Sequence, residues 1–296
     1  MLRRGLLILA ALGGVAGAQE PTPLPPGVPE TYRAFFEPAE ALKIVGPIHF
    51  VGTRDLGVYL VATKAGHVLI DGAMPTSASL IEASIRKLGF KPEEIRVLLI
   101  TQAHIDHVGT LAHFKKLSSA QVALMSPDDE LVKSGGTTDY LFAADERFRF
   151  EPVTADRVLK DGDAVELGGV RLTARLTPGH TRGTTTWTTT VEDGGQSYRV
   201  VFPASTSVNP GTRLVQNPSY PGIADDYRRS FRLLESLKPD IFLGAHVGVF
   251  DMDAKRPRAA SAGAKAWVDP KGYARYLAKS KEAFEALVAK ESAPAQ

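Results

Sequence analysis

With 296 residues, 44% of them hydrophobic, the chain can form one large domain or two small ones and has a globular rather than a disordered composition. Its 35 basic and 33 acidic residues nearly cancel, which removes any general electrostatic basis for binding nucleic acid or an anionic membrane surface. The absence of cysteine excludes disulfides, thiolate metal ligands and a lipidated N-terminal cysteine.

The chain opens with "MLRRGLLILAALGGVAGAQE". Arg3 and Arg4, the short apolar run Gly5 to Gly14 and the small residues before Gln19 predict a signal peptide over residues 1–18. The apolar run is short for a spanning helix, so no membrane anchor is expected after cleavage. Cleavage removes two arginines and no acid, leaving 33 residues of each sign. Export without cysteine suits a bacterial periplasm.

Residues 19–42 read as a leader, Pro-rich and extended over "PTPLPPGVP". From about Lys43 the runs "KIVGPIHFVG", "GVYLVAT" and "HVLIDGA" predict hairpin strands. "TSASLIEASIRKLGF" spaces Leu80, Ile81, Ile85 and Leu88 as one helix face that stops at Gly89. "EIRVLLI" reads as a strand buried on both faces. A helix over about Val108–Leu117 and a strand "QVALM" follow. "SPDDELVK" then opens a helix with Ser126 as N-cap. The stretch 135–150 has little periodicity and several aromatics, as a loop beside a site would. Strands are expected near 153–176 and 184–202, then an amphipathic helix "ADDYRRSFRLLESL", a buried strand "DIFLGAH" and a last helix from about Gly272. Strands then helices, twice over, predict an α/β fold in which two sheets pack together with helices on both outer faces. No linker divides it, so residues 43–296 read as a single domain.

Three segments carry metal chemistry. "QAHIDHVG" follows the buried strand, "TPGHTRG" places His180 in a Gly-flanked turn, and "FLGAHVG" ends an apolar strand with His246. Each histidine stands at a strand end, so all can meet at one edge of the sandwich. Imidazole and carboxylate ligands without thiolates suit zinc or another divalent ion. His49 and His67 lie away from these strand ends and read as surface or packing residues, and His113 points to another helix face. Arg228, Arg229 and Arg232 read as a solvated helix face, and Trp187 and Trp267 as core.

With "HIDH", "VLIDGAMP", "TPGHT" and His246 together, the chain resembles the metallo-β-lactamase superfamily, whose mark is HxHxDH followed by two distant histidines. The resemblance spans roughly Val45 to the last helix and implies the four-layer αβ/βα sandwich of that fold. It implies a first zinc site of Gln102, His104 and His180 and a second of Asp106, His107 and His246, with Asp71 supporting the metal loops by hydrogen bonds. Ser205 stands where many dinuclear members carry a bridging aspartate, a departure the subclass B3 metallo-β-lactamases share. "STSVNPG", "NPSYPGIADDYRRSF" and "SAGAKAW" also resemble that subclass, which implies that Ser205 and Ser207 contact water or the substrate carboxylate.

The activity so implied is hydrolysis of the β-lactam ring amide of penicillins, cephalosporins and carbapenems by metal-bound hydroxide, with Asp106 orienting the nucleophile. It fits an exported, monomeric enzyme that confers antibiotic resistance. Two other readings keep the fold: a zinc hydrolase of a lactone, thioester or phosphoester, and a metal-binding protein without activity. Gln102 replaces the first histidine of the motif, and a neutral amide is a poorer zinc ligand than imidazole, so one or two zinc ions are expected with the first site weakened.

Overall fold

The computed structural model of the chain describes residues 24–25 and 27–293. The expected signal peptide lies outside the described residues. A 3-10 turn over Glu30–Phe35 comes first, already inside the segment read as leader.

Strands β1 (Leu42–Val45), β2 (Ile48–Phe50), β3 (Tyr59–Thr63) and β4 (Gly66–Ile70) form an antiparallel meander. Helix α1 (Ala78–Lys87) crosses over to β5 (Ile95–Leu99), which lies parallel to β4. Two short helices, α2 (Ile105–Val108) and α3 (Leu111–Ser118), lead to β6 (Gln121–Met125). Helix α4 (Asp128–Lys133) and a long loop lead to β7 (Arg157–Leu159), and together these strands make one seven-stranded sheet in sequential order. The second sheet has five strands in the order β12-β11-β10-β9-β8. They are β8 (Ala164–Leu167), β9 (Val170–Leu176), β10 (Thr185–Asp193), β11 (Gln196–Phe202) and β12 (Ile241–Phe242). Helices α5 (Ile223–Leu237), α6 (Met252–Ala262) and α7 (Pro270–Ser292) complete the chain. No described helix is long and apolar enough to cross a membrane.

Three apolar clusters make this a four-layer sandwich. The largest lies between the sheets and joins Phe50, Tyr59 and Ile70 of the first to Trp187, Val200 and Phe202 of the second. Another packs the outer face of the first sheet on Ile81, Ile85 and Phe114 of α1 and α3. The third joins Tyr227 and Phe231 of α5 to Phe284 of α7 on the opposite outside.

Several expectations need correction, each for a local reason. The helix read over Val108–Leu117 is broken in two because Gly109 donates its N–H to Ala73 and the Thr110 hydroxyl donates to the Gly72 carbonyl. Ser126 is not an N-cap: α4 begins at Asp128 after Pro127 and has no side-chain cap. Strand β5 is not buried on both faces, since Arg96 is exposed and donates to the Glu93 carbonyl. The last helix starts at Pro270, with Asp269 accepting the Gly272 N–H at its N-terminus. Helix α6 has no apolar stripe and carries Pro257 inside it, so its sequence holds no periodic signal.

Trp187 ties the sheets together at the functional edge. Its indole is fully buried and donates to the Ile100 carbonyl at 2.8 Å, just beyond β5. Trp187→Phe leaves that carbonyl without its donor and opens a cavity between the sheets. The expected cost is about 2–4 kcal/mol, read as a lowered urea midpoint of the metal-free protein. An unchanged midpoint would show that the tie is dispensable.

Candidate metal centre

Five chain segments end at one edge of the sandwich. Asp71 follows β4, Gln102 and His104 follow β5, His180 lies in the β9–β10 turn, Ser205 follows β11 and His246 follows β12. Asp106 and His107 sit on α2, one turn beyond His104. The backbone there is packed too closely for side chains at several positions, Gly109 and Gly179 among them. A Cβ on Gly109 would lie 2.4 Å from the Pro75 nitrogen, and one on Gly179 would strike the Tyr227 ring at 2.7 Å.

The donor atoms form two adjoining groups. Asp106, His107 and His246 each offer one ligand atom, and these atoms lie within 4.8 Å of one another. Asp106 Oδ2 is 3.3 Å from His107 Nε2 and 3.7 Å from His246 Nε2. Beside them, His104 Nδ1 faces His180 Nε2 at 3.2 Å. Gln102 is 1% exposed, and its Oε1 accepts the Ser205 N–H at 3.0 Å. The oxygen expected to ligate is thus already shared with a backbone donor, with one lone pair remaining.

Three histidines of the centre are hydrogen-bonded at the far nitrogen, and the fourth, His104, faces a carboxylate there. His107 Nδ1 donates to Asp71 at 3.1 Å, His246 Nδ1 to Asp55 at 3.0 Å, and His180 Nδ1 to the Ser207 carbonyl at 2.7 Å. His104 Nε2 lies 3.3 Å from Asp139 Oδ2. Such acceptors set the tautomer, so that each remaining nitrogen turns its lone pair into the site. His104 Nδ1 and His180 Nε2 stand 3.2 Å apart, close enough either to share a proton or to bind one cation together. His107 Nε2 is buried without a hydrogen-bond partner. These side chains fit divalent metal.

Burial and neighbouring charges set the ionisation of these side chains. Burial alone would raise the Asp106 carboxyl, but the charges of His107 and His246 outweigh it and hold it well below the usual carboxylate range. Burial likewise opposes a charge on His107, yet Asp106 and Asp71 on either side raise it. Burial, then the neighbouring His104, pushes His180 down to about 3, so that ring is neutral and free to ligate.

Asp71 accepts both the N–H and the hydroxyl of Thr101 besides the His107 ring, in a left-handed backbone conformation with φ 64°. Three further aspartates escaped the sequence reading. Asp139 sits in the aperiodic 135–150 loop, where its other oxygen accepts the N–H groups of Leu141 and Phe142. Asp55 lies in a bend before β3. Asp128 is buried beneath the site and accepts from Ala103, Thr181 and Gly183, joining the His104 and His180 loops. Burial pushes its carboxyl up to about 6 against the pull of those donors. None of the three stands in a periodic pattern, so only spatial proximity reveals them.

The other candidates fall outside the centre. His49 and His67 are buried against Phe90, and His113 pairs with Glu82 on the surface. Arg228 reaches Glu285 of α7, while Trp187 and Trp267 are both core. Two aromatic walls flank the candidate ligands: Phe142 meets the His104 ring at 5.4 Å and stacks on Phe148, and Phe35 lies 5.5 Å from the His246 ring. Ser205 and Ser207 line a groove of about 790 Å³ that opens beside His246.

Comparison with known proteins agrees with this geometry. The family model for the metallo-beta-lactamase superfamily matches residues 58–246. The structure is similar to the native FEZ-1 metallo-beta-lactamase of Legionella gormanii, with 41% identity, a TM-score of 0.85 and coverage of 87% of this chain and 98% of that one. It is similar to BJP-1, a subclass B3 metallo-beta-lactamase of Bradyrhizobium japonicum, at 37% identity and TM-score 0.82, covering 88% and 97%. Among curated sequences, a probable metallo-hydrolase of Burkholderia pseudomallei is 29% identical over 167 residues, which are 55% of this chain. The chain spans about half the length of that relative, 54%.

Asp139→Ala is expected to weaken divalent-metal binding at the His104–His180 pair by about 10- to 100-fold while leaving Asp106, His107 and His246 competent. Chelator competition on the metal-loaded protein would then show one of two transitions shifted. A uniform shift of both would contradict the separate support described for each group.

Proposed function

The chain belongs to the metallo-β-lactamase superfamily, and on that premise we propose that it hydrolyses the ring amide of β-lactams as a zinc enzyme of subclass B3 type. The observation that carries this reading is the pair of adjoining ligand groups, His104 with His180 and Asp106 with His107 and His246, the last of which lines a groove whose wall also carries Ser205 and Ser207. The likeness to FEZ-1 and BJP-1 over nearly their whole lengths supports it.

When bound, zinc supplies a Lewis acid that polarises the amide carbonyl and brings the pKa of water to roughly 7. The protein's own groups do the rest. Asp106 is ionised at every working pH because of its histidine neighbours, so it can ligate metal and orient the attacking water by accepting its hydrogen bond. Water's oxygen bonds to the carbonyl carbon, the C–N bond opens, and the nitrogen takes a proton. Ser205 and Ser207 receive the substrate carboxylate. Phe142 and Phe35 keep bulk solvent away from the histidines on either side, which strengthens every charge interaction between them.

Gln102 makes the two groups unequal. Its amide oxygen is divided between Ser205 and any metal, so the first site binds zinc more weakly than the second. Export directed by the first 18 residues would place the enzyme in the periplasm, where it meets β-lactams before they reach their targets.

Incubation of the mature protein with a carbapenem and a cephalosporin, with and without chelator, tests the activity. Chelator-sensitive turnover of both is expected. Inert β-lactams together with turnover of a lactone or thioester would overturn the assignment. Gln102→His is expected to raise bound zinc toward two ions per chain by elemental analysis. Two tightly held ions already in the unsubstituted protein, unchanged by the substitution, would refute the unequal sites.

A further inference from the structure

The groove beside the metal ligands has a second wall. Ser205 and His246 form one side, and helix α7 forms the other, with Arg275 and Lys279 among its lining residues. These two positions are four apart and so share one helix face, stacked one turn above the other. Tyr276 between them is turned inward, and its phenol oxygen accepts the Thr206 hydroxyl at 2.9 Å, which seats the helix against the serine-bearing segment.

Both cations are exposed and uncommitted. Lys279 has no ion-pair partner among the described residues, and Arg275 has none in contact, sensing only Asp269 at longer range. Where α7 packs on α5 its charges are paired, Lys281 with Glu235 and Glu285 with Arg228. The two cations that line the groove are not. One carboxylate, Asp251, also lines the groove, so the cations outnumber it two to one. A cleft lined by unpaired charge of one sign concentrates ligands of the other.

We infer that Arg275 and Lys279 are the anion-recognising wall of the groove: they receive a carboxylate on the substrate, facing Ser205 and Ser207 across the cleft, and select anionic over neutral β-lactams. This rests on the hydrolytic reading above and assigns its specificity. The serine hydroxyls supply short-range direction, while the two cations act over roughly a Debye length of about 8–10 Å and add rate at encounter.

The test compares steady-state hydrolysis of benzylpenicillin and of its neutral methyl ester by the zinc-loaded protein, by R275Q/K279Q and by a control, K290Q, at an exposed position on the same helix outside the groove. The double variant is expected to raise KM for the acid about five- to tenfold, to leave KM for the ester near the unsubstituted value, and to flatten the salt dependence of kcat/KM. R275K/K279R should restore most of the loss, and K290Q should match the unsubstituted protein. Equal thermal midpoints exclude a folding defect. Equal shifts for acid and ester, or no shift for either, overturn the inference while leaving the hydrolytic reading intact. If no β-lactam is turned over, that reading fails. Calorimetric binding of benzylpenicilloate, a dicarboxylate, then decides the anion wall: about fivefold weaker binding by the double variant supports it, and equal binding or none overturns it.

Discussion

The carboxylate of Asp71 is the contact on which the centre depends. It lies buried at the end of β4 and takes three donors, two from Thr101 at the end of β5 and one from His107 on α2. Two strands and a helix are thereby referenced to one pair of oxygens. A buried carboxylate left without donors is costly, so those three partners stay in register or the local fold is lost. The left-handed turn at Asp71 and the close approach of Gly109 to Pro75 follow from holding the chain at that point.

The same device recurs around the site. Asp55 and the Ser207 carbonyl do for His246 and His180 what Asp71 does for His107, and Asp139 sets a carboxylate 3.3 Å from the far nitrogen of His104. The four histidines arrive on three segments, and the acceptors facing them come from other segments. Asp128 adds a brace below, linking the loop of His104 to the loop of His180. The sandwich supplies the strand ends, and these acceptors convert nearness into aim.

Much of this was legible in the chain itself. Alternating and helical spacing exposed the strands and amphipathic helices because their apolar faces must be buried, and the three histidine segments were visible as polar residues abruptly ending apolar runs. Asp71 could be singled out by the company it keeps in "LIDGAMP". Asp55, Asp128 and Asp139 could not, because an acceptor that supports a distant histidine leaves no period and no local partner. Helix α6 was hidden for a related reason: its burial does not follow one stripe, and Pro257 argues against a helix. The seat of Gln102 against Ser205, across 103 positions of sequence, is likewise a property of the folded edge alone.

Helix α7 joins two jobs in one element. Its inner face carries Leu277 and Phe284 into the apolar layers, and Arg228 of α5 is fastened to its Glu285, while its other flank bounds the groove. The seam also reaches the candidate centre, because Tyr227 of α5 meets Phe284 of α7 at 5.1 Å and donates to the Ser207 carbonyl that orients His180. A change at the α5–α7 seam that moves the groove wall therefore bears on the aim of His180 as well, so the shape of the cleft and the geometry of the histidines are coupled traits in this architecture.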